Sequence, residues 1–110
     1  MKATIPIKIK PVLDSIQNEL NSIFGQNLKQ LILFGSYARA TDELGSDIDI
    51  LMVLREIENQ AGIREQYRDI ISDMSLEHDT VISIIIISEE EFENRKSPLI
   101  LNIRKEGIKL

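Results

Sequence analysis

Phe34-Gly-Ser-Tyr-Ala-Arg-Ala-Thr-Asp-Glu-Leu-Gly-Ser-Asp-Ile-Asp-Ile-Leu-Met-Val-Leu54 is the stretch whose reading decides the fold. A short apolar run, Leu31 to Phe34, stops at Gly35-Ser36. Ten residues separate Ser36 from Asp47, and Asp49 follows at the head of a second apolar run, Ile50 to Leu54. Strand-length apolar runs bounded by turn residues read as two β-strands, Leu28 to Phe34 and Asp47 to Leu54. The second is apolar throughout after Asp49, which predicts a central strand buried on both faces. Ser36 to Ala40 reads as one or two helical turns, and Thr41 to Gly45 as a polar loop.

Outward from this pair, helices and strands alternate. Pro11 to Phe24 carries apolar residues at 12, 13, 16, 20, 23 and 24, a helical stripe with Pro11 in its first turn and Gly25 at its stop. Glu56 to about Glu77 spaces Ile57, Ile63, Tyr67, Ile70, Ile71 and Met74 as a long amphipathic helix, with a possible break at Ala61-Gly62. Thr80 to Ile87 is β-branched almost throughout and predicts a third strand. Ser88 followed by three glutamates reads as an N-cap and an acidic first turn. Ser97-Pro98 opens a last helix that Gly107 ends. This order predicts an α+β fold, a small mixed β-sheet flanked by helices.

The 110 residues fit one domain, 1–110, with no internal repeat or linker. Cysteine is absent, which excludes a disulfide framework and thiolate metal sites and fits the cytoplasm. The N-terminus lacks a signal-peptide apolar core, and no run has the length of a membrane helix. A net charge of −5 argues against direct nucleic-acid binding. It leaves open a nucleotide whose phosphates are screened by metal.

Strand side chains alternate, so Asp47 and Asp49 project to one side, with Cα atoms roughly 6.5–7 Å apart. Such a pair can hold Mg²⁺, which takes one or two carboxylates and completes its shell with substrate phosphates. Gly35 lets backbone approach a phosphate closely, and Ser36 offers a hydroxyl and the amides of a helix start. Arg39 is within reach of a phosphate, and Ser46 precedes the first aspartate. An isolated Asp-x-Asp or Gly-Ser is ordinary turn chemistry. The combination in this order is what points to a triphosphate lying between turn and carboxylates.

Gly35-Ser36, ten residues, then Asp47-x-Asp49 resembles the signature of the DNA polymerase β-type nucleotidyltransferase superfamily. Chain length and the tail from Ser88 to Ile108 resemble its minimal (MNT) branch, the MntA-like antitoxins. The resemblance implies Mg²⁺-dependent transfer of AMP from ATP to a hydroxyl, usually a tyrosine, of a partner HEPN-domain toxin. It also implies metal binding by Asp47 and Asp49 and triphosphate contacts from Gly35 and Ser36. Two positions depart from the family pattern. Ala40 stands where glycine is usual. The later strand, Val81 to Ile87, lacks the acid that many members carry there; Ser83 is the equivalent position and Asp79 the fallback. The alternative is therefore a fold kept as a binding module that neutralises its partner by complex formation, as a homodimer or heteromeric complex. Transfer to a small acceptor such as an aminoglycoside suits so short a chain less well.

Seven further residues carry weaker readings. His78 sits in a turn between Glu77 and Asp79. Tyr67 belongs to the apolar stripe of the long helix. Tyr37 is equally suited to a nucleotide pocket and to packing. Arg64, Glu65, Arg68 and Asp69 read as a solvated helix face.

Overall fold

A computed structural model describes residues 5–39 and 46–110. Ala40 and the expected loop through Gly45 lie outside the described residues. Helix α1 (Lys10–Phe24) leads into strand β1 (Leu28–Phe34) and the short helix α2 (Ser36–Arg39). Strand β2 (Ile48–Leu54), helix α3 (Gln60–Glu77) and strand β3 (Ile82–Ser88) follow. The chain closes with α4 (Glu89–Asn94), α5 (Pro98–Glu106) and a two-residue strand, β4 (Ile108–Lys109).

The sheet order is β3-β2-β1-β4. Strand β2 runs antiparallel to β1 and parallel to β3, so the sheet is mixed as expected. As its composition requires, β2 is central, and Ile48 and Ile50 to Leu54 are fully buried. The alternation of its side chains then sorts two cores. Ile48, Ile50, Met52 and Leu54 pack with Leu31 and Leu33 under the apolar faces of α1 and α3. Leu51 and Val53 pack with Ile32, Ile87, Phe92, Ile100 and Ile103 under α4 and α5.

Local signals set the joints. Ser88 ends β3 and its Oγ accepts from the Glu91 amide at 3.2 Å; Ser97 Oγ accepts from Ile100 N at 3.4 Å. Each satisfies an amide that the first helical turn leaves unpaired. Helix α3 begins four residues later than the apolar spacing suggested, because Asn59 is its cap: Asn59 Oδ1 accepts from Gly62 N at 3.3 Å. Gly62 therefore lies in the first turn and breaks nothing. The preceding segment is held instead by Asn27, whose side chain bonds both backbone groups of Glu56 at 3.0 and 3.1 Å.

Strand β4 is a feature that the sequence reading did not contain. Ile108 and Lys109 pair with Leu33 and Ile32 on the outer edge of β1. Gly107 makes the return possible: a Cβ there would lie 2.5 Å from the Ile103 carbonyl and 2.6 Å from Ile32 Cγ2. This pulls α5 against β1 and sets the helix, with its C-terminal Glu106, beside the turn after β1.

Candidate active site

Helices α4 and α5 cover only part of their face of the sheet. They lie over Ile32, Leu51, Val53 and Ile87. The end where β1 leaves and β2 and β3 enter carries Asp49 and Ser83, both half-buried, and the more exposed Ile85. The candidate residues gather at this end.

Phe34, the last residue of β1, pairs with Asp49. The chain then turns at Gly35, with φ +78°, a region that L side chains rarely adopt. Only glycine fits for a second reason: a Cβ on Gly35 would run into the Asp49 carboxylate, with Oδ2 the nearest atom. The Gly-Ser turn and the second aspartate are therefore in direct apposition, although fourteen positions separate Gly35 from Asp49 in the chain. Ser36 and Arg39 form the ends of α2, whose Arg39 amide returns to the Gly35 carbonyl at 3.1 Å.

Asp47 lies exposed just before β2, and Ser46 beside it is half-buried. The ladder begins one residue later than expected, with Ile48 N donating to Val81 O at 2.8 Å. Burial raises the Asp49 carboxyl above its ordinary range, the nearby Asp47 raises it further, and Arg39 pulls it back. A partly desolvated carboxylate that a second one raises further gains from a nearby cation. Among the described residues, no group of three or more His, Cys, Asp or Glu could hold a metal. Asp47 and Asp49 are two carboxylates, a number that would suit a hard ion drawing its other ligands from phosphate and water.

The low-ranking candidates are also placed. Ser83 pairs with Asp49 across the parallel ladder, beside the second aspartate on the same face. Adjacent strands are about 4.8 Å apart, so Ser83 is the neighbour where a third acid would stand. Asp79 sits in the turn after α3, the one non-glycine residue with positive φ among those described, and joins no acid cluster with the pair. His78 caps α3 through its backbone. Tyr37 is buried in the α1/α3 core, with the Lys8 ammonium 5.5 Å from its ring centroid, so packing claims it rather than the pocket. Tyr67 is also core, edge-on to Phe24 at 6.5 Å.

Sequence reasoning missed one wall of the site. A cleft of about 80 Å³ beside the turn is lined by Phe34, Gly35 and Arg39 on one side and by Leu99, Asn102, Ile103 and Glu106 of α5 on the other. Those α5 residues recur at helical spacing, which identifies one face of the helix. What that face meets depends on the Gly107 return, which no local pattern announces.

Comparisons with known proteins bear on the family and the fold. The family described as nucleotidyltransferase domain matches residues 13–110. Three provisionally named protein adenylyltransferases of Methanocaldococcus jannaschii are similar in sequence. One is 31% identical over 84% of this chain, but the match spans only 64% of that protein's length. The others are 32% identical over 73% of this chain and 80% of the relative, and 37% identical over 71% and 72%. Among solved structures, a chain of a toxin–antitoxin complex with AMP-PNP shares the fold, with TM-score 0.63 and 20% identity over 87% of this chain and 69% of that one. A chain of the complex between tri-AMPylated Shewanella oneidensis HEPN toxin and MNT antitoxin gives TM-score 0.57 and 16% identity, over 87% and 66%. With its sequence matched from residue 13 to its last residue and its fold shared with these structures, the chain belongs to the nucleotidyltransferase domain family.

Proposed function

We propose that this chain is a Mg²⁺-dependent protein adenylyltransferase that moves AMP from ATP to a hydroxyl of a HEPN-domain toxin, as the antitoxin of a toxin–antitoxin pair. The observation that carries this reading is the apposition of Gly35 and Asp49 at the end of the sheet where β1 leaves and β2 enters. A glycine turn that admits a phosphate and a carboxylate pair that admits its metal stand side by side. The M. jannaschii relatives are named as protein adenylyltransferases, and the Shewanella complex contains an AMPylated HEPN toxin. Both support the acceptor as a protein.

In this reading Gly35 and Ser36 seat the β- and γ-phosphates, with Arg39 near enough to offset their charge. Asp47 and Asp49 would hold Mg²⁺, which when bound supplies charge neutralisation at the phosphates. The acceptor oxygen attacks the α-phosphorus and releases pyrophosphate. Ser83 is not a strong base, so the acceptor's own acidity matters. A tyrosine phenol, with a pKa of about 10, gives up its proton more readily than an alkyl alcohol, which favours tyrosine as the target. The absence of cysteine suits a cytoplasmic role.

Co-expression of the cognate toxin with this chain tests the proposal. The toxin recovered from cells should carry whole AMP units by intact mass, and growth should be restored. Restored growth with an unmodified toxin would refute transfer. That result would favour the second reading, a binding module, for which Ser83 in place of an acid is the specific observation.

A further inference from the structure

In that reading the turn that would seat the phosphates and the carboxylates that would hold the metal belong to different strands, which sets a direction of attack. The Gly35 turn follows β1, the aspartates head β2, and Ser83 lies on β3. Because the sheet order is β3-β2-β1-β4, the turn and β3 flank the aspartates on opposite sides. Phosphoryl transfer places the attacking and leaving oxygens roughly in line. If pyrophosphate leaves toward Gly35 and Arg39, the acceptor oxygen arrives from the side of β3.

Strand β3 is the edge of the sheet and is unusually apolar for an edge. Edge strands are ordinarily blunted by charge, proline or a covering element. Here Val81 is 57% exposed and Ile85 39% exposed. Ile85 pairs with Leu51 and lies two residues beyond Ser83, on the face that carries Asp49. Helix α4 shields Ile87 but leaves Ile85 in solvent. Val81 stands at the mouth of the ladder, its carbonyl held by Ile48. Two exposed β-branched side chains therefore flank Ser83 at the reaction centre.

We propose that Val81, Ser83 and Ile85 form the acceptor side of the site, an apolar shelf on which a protein partner seats the residue that receives AMP. The inference rests on the nucleotidyltransferase reading above and adds the acceptor's approach. The occupant is a protein surface that presents its hydroxyl among apolar side chains. A sugar or aminoglycoside acceptor would call for carboxylates and hydrogen-bonding groups, and Val81 and Ile85 supply neither. In the transfer step the acceptor O–H gives its proton to solvent and the new bond joins that oxygen to the α-phosphorus. The bond from the α-phosphorus to the bridging oxygen breaks, and its electron pair leaves with pyrophosphate.

The test uses the whole chain, its cognate HEPN-domain protein and Mg²⁺-ATP. Ile85→Asp should raise KM for the protein acceptor at least tenfold, with calorimetric ATP affinity within twofold of wild type. Leu101→Asp, at an exposed position of α5 that does not line the cleft beside the turn, should change neither. A photoreactive benzoylphenylalanine at position 85 should crosslink to the partner, and one at position 101 should not; this arm decides the matter if Ile85→Asp fails to fold. A folded Ile85→Asp variant with wild-type KM, or crosslinking at 101 and not at 85, would overturn the shelf while leaving the transfer reading intact. A wild-type chain that transfers no AMP would remove both.

Discussion

Replacing Gly35 with alanine separates a backbone cost from a site cost. At φ +78° an L residue loses about 1–2 kcal/mol from contact of its Cβ with its own backbone. For a domain near this size each kcal/mol lowers Tm by roughly 4–8 °C. Gly25 offers a matched control, since its φ is +52° and a Cβ there meets nothing within 4 Å. Gly25→Ala should therefore carry a backbone cost alone, about 1–3 kcal/mol for an L residue at φ +52°, ψ −125°. The two variants part at the carboxylate. Only the Gly35 methyl collides with Asp49, which must rotate or retreat. Misplacing a reacting group by about 1 Å can cost about 100-fold in rate. Urea denaturation of both variants, with AMP transfer measured on each, should show comparable destabilisation and a loss of about 100-fold in transfer for Gly35→Ala alone. Wild-type transfer by Gly35→Ala, or equal losses in both variants, would refute the claim that the turn and Asp49 act as one unit.

The other expectations concern charge, core and the missing acid. Because Asp49 is raised, the folded chain holds its proton more tightly than the unfolded chain does. Stability is then lost as pH rises from the ordinary 3.8 through the raised value. Asp49→Asn, which cannot ionise, should be more stable than wild type at pH 7 in chelator, by thermal melting, with the gap closing below about pH 4. Leu51 is fully buried in the central strand, and Leu51→Ala should cost about 2–5 kcal/mol in urea denaturation. Ser83→Ala should transfer AMP within about twofold of wild type, since a serine is not the base. A large loss there would give Ser83 a chemical role.

The residues that announced the fold are those whose local pattern agrees with their final surroundings. The unbroken apolar run of β2 requires cover on both faces, and it has it. Ser88 and Ser97 cap helices because a hydroxyl followed by free amides does so in most contexts. Asn59 was passed over because an asparagine among Glu58, Gln60 and Ala61 looks like a continuing polar face. Strand β4 escaped because two residues carry no period. The candidate site was legible as residue types in order, Gly-Ser then Asp-x-Asp. Its three-dimensional content was not. That Gly35 abuts Asp49 follows from the antiparallel pairing of Phe34 with Asp49, and that Ser83 stands beside Asp49 follows from the parallel register. Tyr37 shows the limit from the other side. It neighbours the turn in sequence, but a helix one turn long swings its ring into the core under α1.

The central claim is that Asp47 and Asp49, with the Gly35 turn, transfer AMP to a protein. Its most direct measurement is labelled AMP transferred from ATP with Mg²⁺ to the purified HEPN-domain toxin, by wild type and by Asp47→Asn/Asp49→Asn. The account predicts label on the toxin with wild type, none when Mg²⁺ is chelated, and none with the double variant although it still folds and binds the toxin. Equal labelling by the double variant would contradict it, as would an unlabelled toxin held in a stable complex with the native chain.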